Sequence, residues 1–148
     1  MDRVSPEHRS RIMARIHGRN TQPELLVRRI LYKMGYRYRI HYPKLPGRPD
    51  LAFPGRRKAV FVHGCFWHQH DGCADAGIPK SNRDFWQKKL AGNIERDQRN
   101  VSEIRKLGWN VLILWECQIC PGSSALLADF LEDDADKAAQ RLHRLDGP

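Results

Sequence analysis

The sequence predicts an α/β domain, a mixed β-sheet with helices packed against it. Three observations predict it. Lys58 to His63 is a short apolar, β-branched run, and Trp109 to Trp115 is a second, both of strand character. Between them, from Ser81 or Asn82 to Lys106, runs a long segment with apolar residues at helical spacing. An earlier helical segment and two shorter strands precede them, and another helix follows. The order helix, three strands, long helix, strand, helix makes an α/β sandwich.

With 148 residues the chain is most simply one domain with a real core. No apolar run approaches the roughly 20 residues of a membrane span. The first residues lack the apolar centre of a secretory signal, so a cytoplasmic, nucleoid-associated protein is expected. The formal net charge is +9 and the pI about 9.8, which makes nucleic acid the leading partner. Arg9, Arg11, Arg15, Arg19, Arg28 and Arg29 crowd the early part, whereas Glu132, Asp133, Asp134 and Asp136 gather late. Residues 1–20 therefore read as a basic DNA-contacting arm or helix, and residues 21–148 as a single domain.

Ser5 to His17 reads as a basic amphipathic helix. Met13 and Ile16 on its apolar side suit packing on the body of the protein better than wedging into a base step, although both readings stand. Thr21 reads as an N-cap, with Pro23 in the first turn and Glu24 three residues after the cap. That helix is expected to run to about Met34, with Leu26, Ile30 and Met34 in one row, and Gly35 to end it. Tyr36 to Tyr42 alternates aromatic and basic residues and predicts a strand with one wet face. Asp50 to Phe53 predicts another, joined to Lys58–His63 by the turn Pro54-Gly55-Arg56-Arg57 as a hairpin. Phe85, Leu90, Ile94, Val101, Ile104 and Leu107 form the stripe of the long helix, which Gly108 stops. Trp109 to Trp115 predicts a strand buried on both faces. Ser123 or Ser124 should cap a helix over Ala125–Leu131, and a further short helix is expected over Asp134–Leu145.

Chemistry is concentrated after the second strand of the hairpin, in His63-Gly64-Cys65-Phe66-Trp67-His68-Gln69-His70-Asp71-Gly72-Cys73. Cysteine mixed with histidine points to metal before disulfide. Cys65, His70 and Cys73 in one loop, with Cys117 beyond the last strand, suit a closed tetrahedral zinc site. Cys120 in place of Cys117, and His68 in place of His70, remain alternatives. Asp50, at the start of a strand, suits a hard ion such as Mg²⁺ together with a backbone carbonyl or water. His63 or His68 then suits a general base, with Asp97 as its orienting acid. The plainer readings are a loop aspartate and a solvated helix charge. Phe66, Trp67 and Trp86 suit stacking against bases, since Trp67 lies among polar residues and is expected to stay partly outside the core. Trp109 and Trp115 are expected in the core.

Pro46-Gly47-Arg48-Pro49-Asp50, Phe61-Val62-His63-Gly64-Cys65-Phe66-Trp67-His68, Phe85-Trp86, Asn93-Ile94-Glu95-Arg96-Asp97 and Gly108 to Cys117 together resemble the very-short-patch-repair (Vsr) mismatch endonucleases. The matches keep their order over about residues 8 to 120. The resemblance implies a restriction-endonuclease-like fold with a structural Zn²⁺ on Cys65, His70, Cys73 and Cys117. It implies a Mg²⁺-dependent nick 5′ of the T in a T:G mismatch, the product of 5-methylcytosine deamination. Asp50 matches the Mg²⁺ ligand and Val62 a second, through its carbonyl. His68 matches the base, His63 an accessory histidine, Asp97 their supporting acid, and Glu24 a glutamate near the water of the metal site. Phe66, Trp67 and Trp86 match the aromatic wedge, with Met13 and Ile16 approaching from the other groove. The implied partners are double-stranded DNA with a T:G mismatch, a cytosine-5 DNA methyltransferase and mismatch-repair factors, with the nuclease a monomer. A restriction-type or homing nuclease of the same fold is the nearest alternative. A non-catalytic zinc DNA-binding module is a further one, and Asp50 with His68 and Asp97 speaks against it.

Overall fold

The computed structural model describes residues 20–133; the expected arm with Met13 and Ile16, and the helix expected over residues 134–145, lie outside the described residues. Within them, α1 (Gln22–Lys33) starts where Thr21 accepts the Glu24 N–H on its side-chain oxygen at 3.4 Å. The return half of the capping box is displaced by one residue, because the Glu24 carboxylate accepts from Asn20 N instead. The buried row is Glu24, Val27 and Leu31, and Met34 is exposed, so the face that packs is rotated from the Leu26–Ile30–Met34 row. Gly35, at φ +93°, ends the helix as expected.

Four strands form one mixed sheet: β1 (Arg39–Ile40), β2 (Leu51–Phe53), β3 (Lys58–His63) and β4 (Asn110–Trp115), in that order. β1 and β3 flank β2 antiparallel, and β4 lies parallel to β3 with His63 opposite Trp115. The strand expected over Tyr36–Tyr42 shrinks to two residues. Its tyrosines have better partners than a ladder. Tyr36 and Tyr38 set their rings edge-on to Phe53, and the Tyr38 hydroxyl donates to the Arg28 carbonyl at 3.1 Å.

The parallel pair needs a long connection, and α2 (Arg83–Lys106) supplies it. One sheet face packs Val60, Val62, Leu51 and Leu114 against Val27 and Leu31 of α1 and Leu127 and Leu131 of α3 (Ser123–Glu132). The other packs Ala59 and Phe61 against Ile104 of α2. Every residue of β3 is consequently buried. Each fully buried leucine or valine stabilises the fold by about 1.5–3 kcal/mol. The stripe of α2 is shorter than its spacing suggests: Leu90 and Ile104 are buried, whereas Phe85 and Leu107 are exposed. β4 is apolar on both faces, but only Leu114 is fully buried, because among the described residues this strand has β3 alone as a neighbour.

Two further elements depart from expectation. Neither Ser123 nor Ser124 caps α3 with its side chain; Gly122 is the N-cap, and the Ser123 hydroxyl accepts from Cys120 N at 3.0 Å. At the other end α3 has no basic residue in its last turn. Lys58 of β3 takes that role, its buried ammonium donating to the Phe130 and Asp133 carbonyls. Among the described residues, no helix is long and apolar enough to cross a membrane.

Candidate functional site

The antiparallel-to-parallel change at β3 brings together side chains from four elements. β2 begins at Asp50's neighbour Leu51, and Asp50 Oδ2 accepts the Val62 N–H of β3 at 2.7 Å. Beyond β3 the chain leaves the sheet and returns over it, the His68 N–H donating to the Gly64 carbonyl at 3.1 Å and the His70 N–H to that of Cys65 at 2.9 Å. The Asn93 amide of α2, itself buried, donates to the Trp67 carbonyl at 3.0 Å and fixes the loop against the helix. An amide in the middle of an apolar stripe is the sequence signal for this clamp, and it was not read as one.

The loop sets His68 against Asp97. Their Nδ1 and Oδ2 lie 2.6 Å apart. A carboxylate has no proton to give, so Nδ1 carries the hydrogen and Nε2 is left to accept one. The His63 ring stacks on that of His68, centroids 3.8 Å apart and 6° from parallel. Burial, then the neighbouring His68, pushes the His63 pKa down to about 3, with Asp97 opposing, so His63 is a neutral imidazole. Among the described residues its Nδ1 is buried without a hydrogen-bond partner.

Asp50, His63, His68, Asp97 and Glu24 all line one cleft of about 560 Å³. The five residues singled out from the sequence as catalytic therefore share one space. Burial first, and then the nearby Glu24 carboxylate, raise the Asp50 pKa to about 7 despite the opposing Val62 N–H and His68. A buried carboxylate, Glu24, beside a half-buried one, Asp50, is costly without a cation, and oxygen donors of this kind suit a hard divalent ion. Arg48, Arg96 and Asn100 also border the cleft, together with His41 and Glu116. Sequence reasoning gave these no role, because their loop and helix positions look like ordinary solvated surface.

The second metal-ready group lies beyond β3. One donor atom from each of Cys65, His70, Cys73 and Cys117 falls within 4.8 Å of the others. His70 Nδ1 is 3.7 Å from Cys65 Sγ and 3.4 Å from Cys117 Sγ. Tetrahedral zinc with Zn–S of about 2.3 Å and Zn–N of about 2.0–2.1 Å puts sulfur and nitrogen about 3.6 Å apart. The donor set and its spacing thus fit zinc. Burial pushes the Cys65 thiol up to about 12, with Cys117 and Cys73 beside it, so this sulfur would ionise only against a cation. Cys120 and His68 lie outside this group of four.

The aromatics divide differently from expectation. Trp67 is buried, because α2 and the loop close over it, and its polar sequence neighbours conceal this. Phe66 and Trp86 pack edge-on at 5.4 Å and remain half-buried, while Phe85 is 58% exposed. Trp109 and Trp115 are half-buried, not core. Trp115 lies face to face with His70 at 4.4 Å and edge-on to His63 at 5.2 Å, so it touches both groups.

A family model described as DNA mismatch endonuclease Vsr matches residues 1–74. The chain is similar to the type II nicking enzyme V.XorIIP of Xanthomonas oryzae pv. oryzae, 47% identical over 118 residues that span 80% of this chain and 86% of that protein. It is 42% identical over 118 residues to the type II nicking enzyme V.NmeAIP of Neisseria meningitidis, spanning 80% and 84% of the two chains. To the DNA mismatch endonuclease Vsr of Escherichia coli K12 it is 40% identical over 111 residues, spanning 75% and 70%.

Proposed function

Because this chain belongs to the Vsr family and is a DNA endonuclease, we propose that it nicks duplex DNA 5′ of the T in a T:G mismatch, in a Mg²⁺-dependent reaction that initiates repair of deaminated 5-methylcytosine. The observation that carries the reading is the shared cleft of Asp50 and the His68–Asp97 pair. Asp50 and the Val62 carbonyl would hold Mg²⁺, whose chemistry when bound is to neutralise phosphate charge and make water more acidic. Asp97 holds His68 with Nε2 free, and that nitrogen takes the proton of the attacking water. His63, stacked and neutral, keeps the His68 ring in plane without adding a competing charge. Glu24 orders water on the Asp50 side. Arg48 and Arg96 offer charge to the backbone phosphates at the cleft edge.

Phe66 and Trp86, with Trp67 behind them, are suited to enter the DNA stack beside the mismatch. A mismatched step costs less to open than a paired one, which favours such a wedge at T:G. Zinc on Cys65, His70, Cys73 and Cys117 would hold the loop that carries His68. The restriction-endonuclease-like fold, action as a monomer, and a functional link to a cytosine-5 DNA methyltransferase and mismatch-repair factors belong to the same reading. So do the assignment of residues 1–20 to DNA contact and of residues 21–148 to one nuclease domain.

The test is a nicking assay with Mg²⁺ on end-labelled duplexes bearing one T:G in several sequence contexts, with C:G controls. Nicking 5′ of the mismatched T, absent on C:G and lost in Asp50→Ala, is the expected result. Equal nicking of C:G would move the protein to a restriction-type activity. Binding without nicking in every context would leave a recognition module.

A further inference from the structure

One side chain of the cleft has no task in that mechanism. His41 follows β1 and adopts φ +45°, a left-handed conformation that costs energy for a residue with a Cβ. Its backbone N–H donates to the Asp50 carbonyl at 3.1 Å, so strand pairing continues one step to join His41 to Asp50. Its Nε2 lies 3.3 Å from Glu24 Oε2. That same oxygen already accepts from Asn20 N at 3.0 Å and from the Arg28 guanidinium at 3.2 Å. Glu24 is thus satisfied without the imidazole, and a strained backbone is not needed to supply a third donor.

Glu24, His41 and Asp50 each offer a donor atom within 4.8 Å of the others, and all three border the cleft. Around an octahedral ion with bonds of about 2.1 Å, adjacent donors lie about 3.0 Å apart and opposite ones about 4.2 Å. The 3.3 Å between His41 Nε2 and Glu24 Oε2 is close to the adjacent spacing, and the Asp50 donor lies within 4.8 Å of both. The local charge also leaves room for a dication: among the described residues the ion pair of these two carboxylates with a guanidinium is that of Glu24 with Arg28, while Arg48 and Arg96 border the same cleft. Imidazole nitrogen is a good ligand for transition dications and a poor one for Mg²⁺, which prefers oxygen and keeps its water.

We infer that Glu24, His41 and Asp50 form a two-carboxylate, one-imidazole cation site that binds transition dications such as Mn²⁺ more tightly than Mg²⁺. The inference rests on the reading of Asp50 as a cation ligand and adds a nitrogen ligand to it. The cleft of this chain then takes Mn²⁺ by direct coordination from His41, while Glu24 is a ligand and not only an orienting group for water.

The experiment uses the full chain, free of DNA and loaded with a single equivalent of zinc, so that the thiolate cluster, the tighter zinc site, is filled and the cleft is left open before Mn²⁺ is added. Zinc binds such sites more tightly than manganese and is not displaced. Electron paramagnetic resonance counts bound Mn²⁺, and spin-echo modulation reads a directly bound ¹⁴N. We expect one bound Mn²⁺ with ¹⁴N coupling, and Mg²⁺ competing at least tenfold less well. In His41→Gln the coupling disappears and Mn²⁺ binding weakens by about tenfold or more, since even loss of an outer partner of a ligand costs that much. Zinc content and circular dichroism confirm that each variant is folded. Coupling that is absent in the wild type, or persists in His41→Gln because His63 or His68 supplies it, overturns the site. Oxygen-only binding that is lost in Asp50→Asn overturns the role of His41 and leaves Asp50 a cation ligand. Binding that survives Asp50→Asn overturns both.

Discussion

Among the described residues, the Cys/His group and the cleft are built in opposite ways, and Trp115 touches a histidine of each. The Cys/His group takes three of its four donors from one loop, between Cys65 and Cys73, and a single distant one from Cys117. Its ligands are soft, and Cys65 is fully buried. The cleft takes Glu24 from α1, His41 from the end of β1, Asp50 from the start of β2, and Asp97 from α2. Its carboxylates are hard donors, and its space is open to a phosphodiester. A closed soft set holds a loop in place, whereas an open hard set exposes charge to a substrate. Stability should therefore depend on the first and turnover on the second.

The largest expected effect is on the first group. Chelation of its metal, or Cys117→Ser, should cost about 4 kcal/mol or more, since the donors then repel or lie buried without a cation. For a chain of this size that is a fall in Tm of about 10 °C. Nicking goes with it, because His68 sits on the same loop, and added Zn²⁺ but not Mg²⁺ restores both. A melting temperature unmoved by chelation would remove the distinction between the two regions.

Asp50→Asn should do the reverse. Nicking falls by about a thousandfold or more, the loss of several kcal/mol of transition-state stabilisation. The metal-free variant is as stable as the wild type or more so. The sign follows from the Asp50 pKa, which burial raises to about 7 in the folded chain from an ordinary 3.8. The folded state then binds the extra proton, so Asp50 destabilises progressively as pH rises from about 4 to about 7. Thermal melts at pH 8 and pH 5 should show the variant's advantage at pH 8 and a smaller one at pH 5. A large stability loss at pH 8 contradicts this account.

A smaller loss is expected from the base. His68→Ala should slow single-turnover nicking by about 10²–10³, within the usual worth of a positioned base. Asp97→Asn should cost less, because the ring remains and only its orientation is weakened. Mismatch binding, measured separately by fluorescence anisotropy, should hardly change in either. If Asp97→Asn weakens binding as much as it slows nicking, Asp97 acts on DNA and not through His68.

The same contrast explains what the sequence makes legible. The Cys/His group is readable because three of its four donors crowd into nine positions, and only a shared ion gives that density a reason. α1 is readable from Thr21, Pro23 and Gly35, each a local signal. The cleft is assembled by topology, and its members look ordinary one at a time. Glu24 has a local explanation as a helix-start residue, and only its burial with Asp50 nearby gives it another. His41 occupies what alternation treats as a strand position, yet its positive φ takes it out of the ladder's pattern. Trp67 misleads for a related reason. Polar neighbours mark a loop as wet, but a loop folded over its own aromatic and clamped by Asn93 buries it.

Trp115 is where the two regions can be tied together or shown to be independent. Its ring lies on His70 and meets His63 edge-on, and His63 in turn stacks on His68. Replacing it by leucine keeps an apolar strand residue but removes the flat surface against which both imidazoles rest. The four zinc donors remain, so zinc content should be unchanged, and Tm should fall by only a few degrees for a partial cavity. If the ring transmits the position of the zinc loop to the base, kcat falls about tenfold while KM for mismatched duplex stays the same, since a small displacement of a base is costly. Trp115→Phe, which keeps a flat face, should recover most of the rate. A leucine variant with full kcat and a lowered Tm would instead make Trp115 a packing residue that does not couple the zinc loop to the cleft.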